Sequence, residues 1–87
     1  MNKVFSDKAW EEYLYWQTQD KKTLKRINVL IQDIDRNCYE GIGKPEPLVG
    51  NLSGFWSRRI DEKNRLVYRI QDGFIEIAQC KTHYNEE

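Results

Sequence analysis

The chain has 87 residues, with 39% hydrophobic and 13% aromatic residues and a formal net charge of zero at neutral pH. This length predicts one domain, residues 1–87, and the aromatic content excludes a disordered tail. Zero net charge argues mildly against a general nucleic-acid binder, although basic residues can still be sorted locally.

A short strand and two helices are predicted at the start of the chain. The strand covers residues 2–5, and Ser6 is the predicted N-cap of a helix that runs to about Gln19. Asp20 is the predicted N-cap of a second helix. The apolar stripe of this second helix consists of Leu24, Ile27, Leu30, Ile31 and Ile34. Because only a residue or two separates the helices, we expect them to pair as a hairpin.

Basic residues are concentrated in two clusters. The first cluster opens the second helix and consists of Lys21, Lys22, Lys25 and Arg26. The dipole of a helix disfavours cations in its first turn, so Lys21 and Lys22 fit a contact with a polyanion or an acidic partner. A solvated surface is the simpler alternative. The second cluster consists of Arg58, Arg59, Arg65 and Arg69. A solvated face is an alternative for this cluster too.

Glu46 lies between two prolines in the segment that follows the helices. Pro45 fixes its own φ, and Pro47 favours an extended conformation at Glu46. A carboxylate on stiff backbone suits a catalytic base. From this segment alone, an ordinary exposed glutamate in a proline-rich connection is the simpler explanation.

The rest of the chain is predicted to form antiparallel strands. They cover Phe55 to Ile60, residues 65–70 and a segment that runs to about Cys80. Asp72-Gly73 is a strong signal for a two-residue hairpin turn, which places Arg69 opposite Glu76. The same turn places Tyr68 opposite Ile77.

Alternation gives the predicted sheet two different faces. The face for the helices carries Leu66, Tyr68 and Ile70, and the other carries Arg65, Val67 and Arg69. Strict alternation puts Arg65 and His83 on opposite faces, so a shared site requires a bend or bulge near Thr82. Strict alternation across the turn at Asp61–Asn64 likewise does not bring Arg59 and Arg65 to the same face.

The residue types needed for metal-free RNA cleavage are present. A base takes the proton of the 2′-OH, an acid protonates the departing 5′ oxygen, and a cation stabilises the charge on phosphorus. Glu46, His83 and Arg65, with Arg59, supply these types. The types alone are weak support, since His83 is the sole histidine and a lone histidine commonly has no role. Tyr84 could stack on a base or pack as an ordinary edge aromatic.

Cys38 and Cys80 have no C-x-x-C spacing, and with one histidine they predict neither a disulfide framework nor a zinc site. We expect no metal, no cofactor and reduced thiols. The chain shows no signal-peptide pattern and no apolar run of membrane length. A cytoplasmic protein without a membrane partner is therefore predicted.

The motifs resemble the YoeB toxins of the RelE/ParE superfamily. The resemblance rests on residues 43–48 (GKPEPL), 51–60 (NLSGFWSRRI), 65–68 (RLVY), His83-Tyr84, Trp10, residues 13–16 (YLYW) and 25–28 (KRIN). It covers nearly the whole chain. It implies an α+β, RelE-like fold in which two N-terminal helices pack on one face of a twisted antiparallel sheet.

The resemblance also implies a function and partners. Such a toxin enters the ribosomal A site, cuts mRNA there and so inhibits translation. Its partner is a YefM-like antitoxin of the Phd/YefM type, which blocks the active site and binds operator DNA as a complex with the toxin. Whether the free protein is a monomer or a homodimer stays open.

Individual roles follow from the same resemblance. Glu46 matches the general base, Arg65 the phosphate-stabilising arginine and His83 the general acid. Arg59 matches a second phosphate contact, and Tyr84 a tyrosine that positions the substrate. Candidates for contact with RNA or the ribosome are Lys44, Arg58, Lys21, Lys22, Lys25 and Arg26.

Two departures from the family pattern support one other function. Position 49 is Val where relatives often carry Lys, and residues 85–87 add two carboxylates after the His-Tyr pair. A degenerate toxin that survives as an antitoxin-binding or regulatory module is one alternative. A non-enzymatic inhibitor of the ParE kind, which acts on DNA gyrase on the same fold, is a second alternative. The joint presence of Glu46, Arg59, Arg65 and His83 in matching motifs argues against it.

Overall fold

Two helices pack against one face of a five-stranded sheet in the computed structural model, which describes residues 1–82. The helices are α1 (Asp7–Gln19) and α2 (Lys21–Asn37). The strands are β1 (Asn2–Phe5), β2 (Glu46–Pro47), β3 (Trp56–Arg59), β4 (Arg65–Gln71) and β5 (Phe74–Gln79). A 3-10 turn at Gly50–Leu52 separates β2 from β3. The predicted α+β class is confirmed.

Both predicted N-caps are confirmed. The hydroxyl of Ser6 accepts a hydrogen bond from the Ala9 N–H, at 3.0 Å. The carboxylate of Asp20 accepts hydrogen bonds from the backbone of Lys22 and from both the backbone and the hydroxyl of Thr23. The Thr23 hydrogen bonds lower the pKa of Asp20. Neither helix within residues 1–82 has the length and apolar character needed to cross a membrane.

The sheet has the order β1-β5-β4-β3-β2, and its edge strand β1 runs parallel to β5. The other three strand pairs are antiparallel. The wholly antiparallel sheet predicted from the sequence is thus corrected at β1. Alternation of apolar and polar residues does not encode strand direction, and a parallel partner requires a long crossover, here supplied by everything between β1 and β5.

The β4–β5 hairpin forms as predicted. Asp72 and Gly73 have φ values of 54° and 80°, as a two-residue turn with both residues in the left-handed region requires. Arg69 lies opposite Glu76 in the register. The two side chains form an ion pair. Tyr68 lies opposite Ile77, again as predicted.

The core lies between the helices and the sheet. It is formed by Ala9, Trp16, Ile27, Leu30, Ile31, Ile34, Ile60, Leu66, Tyr68, Ile75, Ile77 and Cys80. The predicted stripe of α2 supplies four of these, whereas Leu24 is only partly buried at its margin. The indole of Trp16 donates to the Cys80 carbonyl at 2.8 Å, so its polar group is satisfied inside the core.

The two cysteines are expected to differ sharply in reactivity. Cys80 is fully buried, and burial, with a smaller effect of Glu12, raises its pKa to about 12. Cys38 is exposed. Since the thiolate is the reactive form, iodoacetamide at pH 8 should label Cys38 in the native protein and Cys80 only in denaturant. Peptide mass spectrometry checks this, and equal labelling of the native protein would contradict it.

Candidate active site

The register of the sheet aligns Glu46, Ser57, Val67 and Gln79 across β2, β3, β4 and β5. Residues paired in this way project to the same side of a sheet. This side is opposite to the helices, because the neighbouring row contains the core residues Leu66 and Tyr68. We call it the outer face. Arg59 and Arg65, each two residues along its strand from this row, belong to the outer face as well.

The backbone of Glu46 is held from both ends. Glu46 itself pairs with Ser57 of β3, as expected from the extended conformation predicted between two prolines. Before it, the Gly43 carbonyl accepts from the Arg59 N–H at 2.7 Å, and after it the Leu48 N–H donates to the Phe55 carbonyl at 2.9 Å. The side chain of Glu46 is exposed. The sheet therefore presents this carboxylate to solvent from an anchored strand.

Arg59 and Arg65 lie opposite each other in β3 and β4. The parity difficulty expected across the turn is therefore absent, since Ile60 N–H bonds to the Asn64 carbonyl at 3.0 Å and keeps the strands in register. Arg59 is exposed. Its backbone carbonyl accepts a hydrogen bond from Arg26 of α2 at 3.2 Å. One basic residue of α2 is thereby fixed to the end of β3.

The guanidinium of Arg65 is held by the turn that precedes it. Its Nη1 donates to the carbonyls of Asp61, Asn64 and Glu62 at 2.7, 3.1 and 3.2 Å. The residue is 7% exposed. A guanidinium carries five N–H groups, and three of them are on Nε and Nη2. Arg65 therefore has a fixed orientation that does not depend on a ligand.

The bulge predicted near Thr82 lies earlier, at Ala78. Val67 pairs with Gln79 while Tyr68 pairs with Ile77, so β5 contains one extra residue at this point. Beyond the bulge the side-chain parity is reversed, and Gln79 shares the outer face with Arg65. The parity objection to a site shared with the end of the chain is therefore removed.

Thr82 is also unusual in its backbone. Its φ is 60°, its N–H donates to Asn64 Oδ1, and its carbonyl accepts from the Arg65 N–H at 3.1 Å. The last described residue is thus tied to the same turn that holds the Arg65 guanidinium. His83 and Tyr84 lie outside the described residues, and their roles stay predictions.

Arg58 has a different place from the one predicted. The sequence suggested contact with RNA or the ribosome, but its side chain is 0% exposed and points towards the helices. It forms an ion pair with Asp33 and contacts the Tyr68 hydroxyl. This corrects the prediction, and Arg58 is removed from the candidate contact surface. Its parity with Trp56 and Ile60, both apolar, was the signal for an inward side chain.

The other predicted contact residues lie at the surface. Lys21, Lys22, Lys25 and Lys44 are exposed, and Arg26 is half-buried. Their contact with RNA or the ribosome stays a prediction. Within residues 1–82, no three His, Cys, Asp or Glu side chains are placed to share a metal ion.

The outer face combines groups suited to reaction at a phosphodiester. Glu46 offers an exposed carboxylate that can accept a proton. Arg59 and Arg65 offer planar cations that match phosphate oxygens. The arrangement can therefore act as a base and stabilise negative charge on the same surface.

The fold places the chain in the RelE-like α+β class. YafQ from Escherichia coli matches with a TM-score of 0.73 and 17% identity, over 94% of this chain and 92% of that one. A mutant toxin from Helicobacter pylori matches with a TM-score of 0.73 and 15% identity, over 95% and 94%. At such low identity these likenesses concern the fold alone.

Closer relatives define the family. The model for the YoeB-like toxin of bacterial type II toxin–antitoxin systems matches residues 5–84. Toxin YoeB of Escherichia coli K12 is 55% identical over 84 residues, covering 97% of this chain and all of that protein. The toxin YoeB of Streptomyces coelicolor is 51% identical with the same coverage. The chain belongs to the YoeB family of toxins of type II toxin–antitoxin systems.

Solved structures of the family agree with the chain along nearly its whole length. A YoeB/ParE toxin from Agrobacterium tumefaciens has a TM-score of 0.94 and 41% identity, over 97% of this chain and 100% of that one. YoeB in a YoeB–YefM complex from Staphylococcus aureus has a TM-score of 0.90 and 53% identity, over 97% and 98%. The staphylococcal YoeB has also been solved as a dimer.

Proposed function

We propose that this chain is a ribosome-dependent endoribonuclease that cuts mRNA in the A site and so inhibits translation and growth. The observation that carries the proposal is the register that brings Glu46, Arg59 and Arg65 to the outer face. A cleavage of this kind needs no metal, because the attacking group is the 2′-OH of the RNA itself.

Each outer-face residue has a stated task in the proposal. Glu46 takes the proton from the 2′-OH, and Arg65 stabilises the charge that develops on the phosphate. Arg59 supplies a second phosphate contact. The anchored backbone of Glu46 and the fixed guanidinium of Arg65 support these tasks, since catalytic groups act best when they are already in position.

The family resemblance supplies the remaining two roles. We propose His83 as the general acid for the departing 5′ oxygen and Tyr84 as the residue that positions the substrate. The bulge at Ala78 and the fixation of Thr82 support this indirectly, because the chain before His83 is held against the turn of Arg65.

The proposed partners follow from the relatives. A YefM-like antitoxin would cover the outer face and block cleavage, as a staphylococcal YoeB is known to form a complex with YefM. Operator DNA would be bound through that complex. A homodimer of the free toxin is a further proposal, which sedimentation of the purified protein would decide. A ribosomal substrate places the proposed activity in the cytoplasm.

Mapping of mRNA ends on programmed ribosomes tests the function. The wild-type protein should produce cuts in the A-site codon, and Glu46→Ala and His83→Gln should each lower the rate by a factor of about 10²–10⁴. Glu11→Ala, an exposed glutamate of α1, is the matched control and should cut normally. Cleavage that persists in both site variants would reject the assigned base and acid.

The same assay separates the alternatives. A folded wild-type protein that cuts no mRNA would favour a regulatory module or a ParE-like inhibitor. Inhibition of gyrase supercoiling then distinguishes these two. Val49 is 64% exposed, so restoring a cation with Val49→Lys shows whether its absence weakens phosphate contact.

A further inference from the structure

Arg58 uses all five of its N–H groups inside the protein. Its Nη2 donates to the carbonyls of Cys38 and Glu40 at 2.9 and 2.5 Å. Its Nη1 donates to Asp33 Oδ2 at 2.5 Å and to the Ile42 carbonyl at 3.1 Å. The fifth hydrogen bond runs from Nε to the Tyr68 hydroxyl at 3.2 Å. We call Arg58, Asp33 and Tyr68 the Arg58 network.

The network holds a segment that has little regular structure of its own. Residues 38–44 are all but the last residue of the connection from α2 to β2. Positive φ values recur there at Cys38, Gly41, Gly43 and Lys44. For Cys38 and Lys44 such a conformation is costly, so surrounding contacts must impose it. The three carbonyls bonded to Arg58 all belong to this segment.

Asp33 contributes to the same restraint from α2. Its Oδ2 accepts from the Ile42 N–H at 3.1 Å as well as from Arg58. A Cβ at Gly41 would lie only 2.0 Å from that oxygen, which shows how closely the segment approaches. The hydrogen bond from Arg58 is the main cause of the lowered pKa of Asp33, so its carboxylate is ionised at neutral pH.

The held segment leads directly to Glu46. Gly43, its next-to-last residue, bonds to Arg59, and Glu46 pairs with Ser57. Ser57 and Arg59 are the neighbours of Arg58 in β3. Strand β3 therefore holds residues 38–44 through the side chain of Arg58 on the inner face. The backbone of the same strand pairs with Glu46.

We propose that Asp33 and Arg58 are positioning residues for the cleavage reaction, which set the location of the Glu46 carboxylate by fixing residues 38–44. This inference rests on the proposed role of Glu46. Small displacements of a catalytic group are costly, since a shift of about 1 Å can lower a rate by a factor of about 100. Loosening the network should therefore reduce the rate of cleavage by the ribosome-bound protein more than its affinity for ribosomes.

Asp33→Asn is the first test variant, because it removes the charge and keeps the size of the side chain. Asp35→Asn is the matched control on the same helix. Asp35 also forms ion pairs, but its side-chain partners in the described structure are the N-terminal amine at 2.7 Å and Lys3 at 3.8 Å. With saturating programmed ribosomes, Asp33→Asn should lower kcat at least tenfold with KM within twofold, and Asp35→Asn should change neither.

The Glu46→Ala background separates positioning from a general structural effect. If Asp33 acts through Glu46, adding Asp33→Asn to Glu46→Ala should cause no further loss of residual cleavage. An equal tenfold loss in both backgrounds would overturn the inference, as would identical rates for Asp33→Asn and Asp35→Asn. Arg58→Lys, which keeps the charge but not the five donors, repeats the test if Asp33→Asn folds poorly.

These outcomes are distinct from a failure of the proposed function. If Glu46→Ala cuts as fast as the wild type, the base has been misassigned and the network has no catalytic group to position. If Glu46→Ala is inactive and Asp33→Asn is fully active, the proposed base stands and the positioning inference is rejected.

Discussion

Arg58→Met should lower the free energy of unfolding by about 3–5 kcal/mol, the usual loss when one partner of a buried ion pair is removed. The side chain of Arg58 is 0% exposed and that of Asp33 is 17% exposed. The substitution removes a donor from the Asp33 carboxylate, the Tyr68 hydroxyl and three carbonyls. The Asp33 carboxylate keeps the Ile42 N–H, and the Cys38 carbonyl keeps the Tyr68 hydroxyl. Small domains are stable by only about 5–15 kcal/mol, so this loss is a large part of the total.

Urea unfolding followed by circular dichroism measures the effect. Arg69→Met is the matched control, because the Arg69–Glu76 pair also joins two elements of the fold but its side chains are 39% and 35% exposed. Its ion pair should contribute less than about 1 kcal/mol, and the contact of Arg69 with the Phe55 ring about as much again. Equal losses in the two variants would contradict the larger stabilising contribution expected of the buried Arg58 network.

Arg65→Lys should lower the rate of mRNA cleavage by a factor of about 10²–10³ while largely preserving the fold. A guanidinium can bond to the turn through Nη1 and still direct the N–H groups of Nε and Nη2 at a phosphate. An ammonium is a single centre and cannot do both. The loss should therefore appear in cleavage rather than in the unfolding transition.

The comparison with Arg69→Lys gives this prediction its control. Arg69 lies on the same strand and the same face, four residues from Arg65. Its substitution should alter cleavage only a few-fold. A wild-type rate of cleavage in Arg65→Lys would mean that any cation suffices at this position. A large loss of stability in that variant would mean that Arg65 mainly stabilises the turn that precedes it.

The elements that were predicted correctly depend on local signals. Ser6 and Asp20 cap their helices through residues two or three positions ahead, and Asp72-Gly73 directs its turn through its own backbone. The direction of β1 had no such signal. It depends on a partner more than 70 positions away, with Asn2 paired to Phe74.

The candidate site was predictable in part for the same reason. The prolines around Glu46 indicated its extended backbone, and Arg65 was placed on the correct face. The bulge at Ala78 was not predictable, because its carbonyl is held by the Ser6 hydroxyl from the other end of the chain. The role of Arg58 was missed because arginine was taken as a surface residue despite its inward parity.

The parallel pairing of β1 with β5 has a consequence for the newly made chain. Strand β1 cannot pair until β5 has been synthesised. The apolar sides of the helices likewise stay uncovered until β4 and β5 are present. Folding of this domain therefore cannot be completed until β5 has been synthesised. Under the proposed function, a nascent toxin lacks a finished catalytic surface until β5 has joined the sheet.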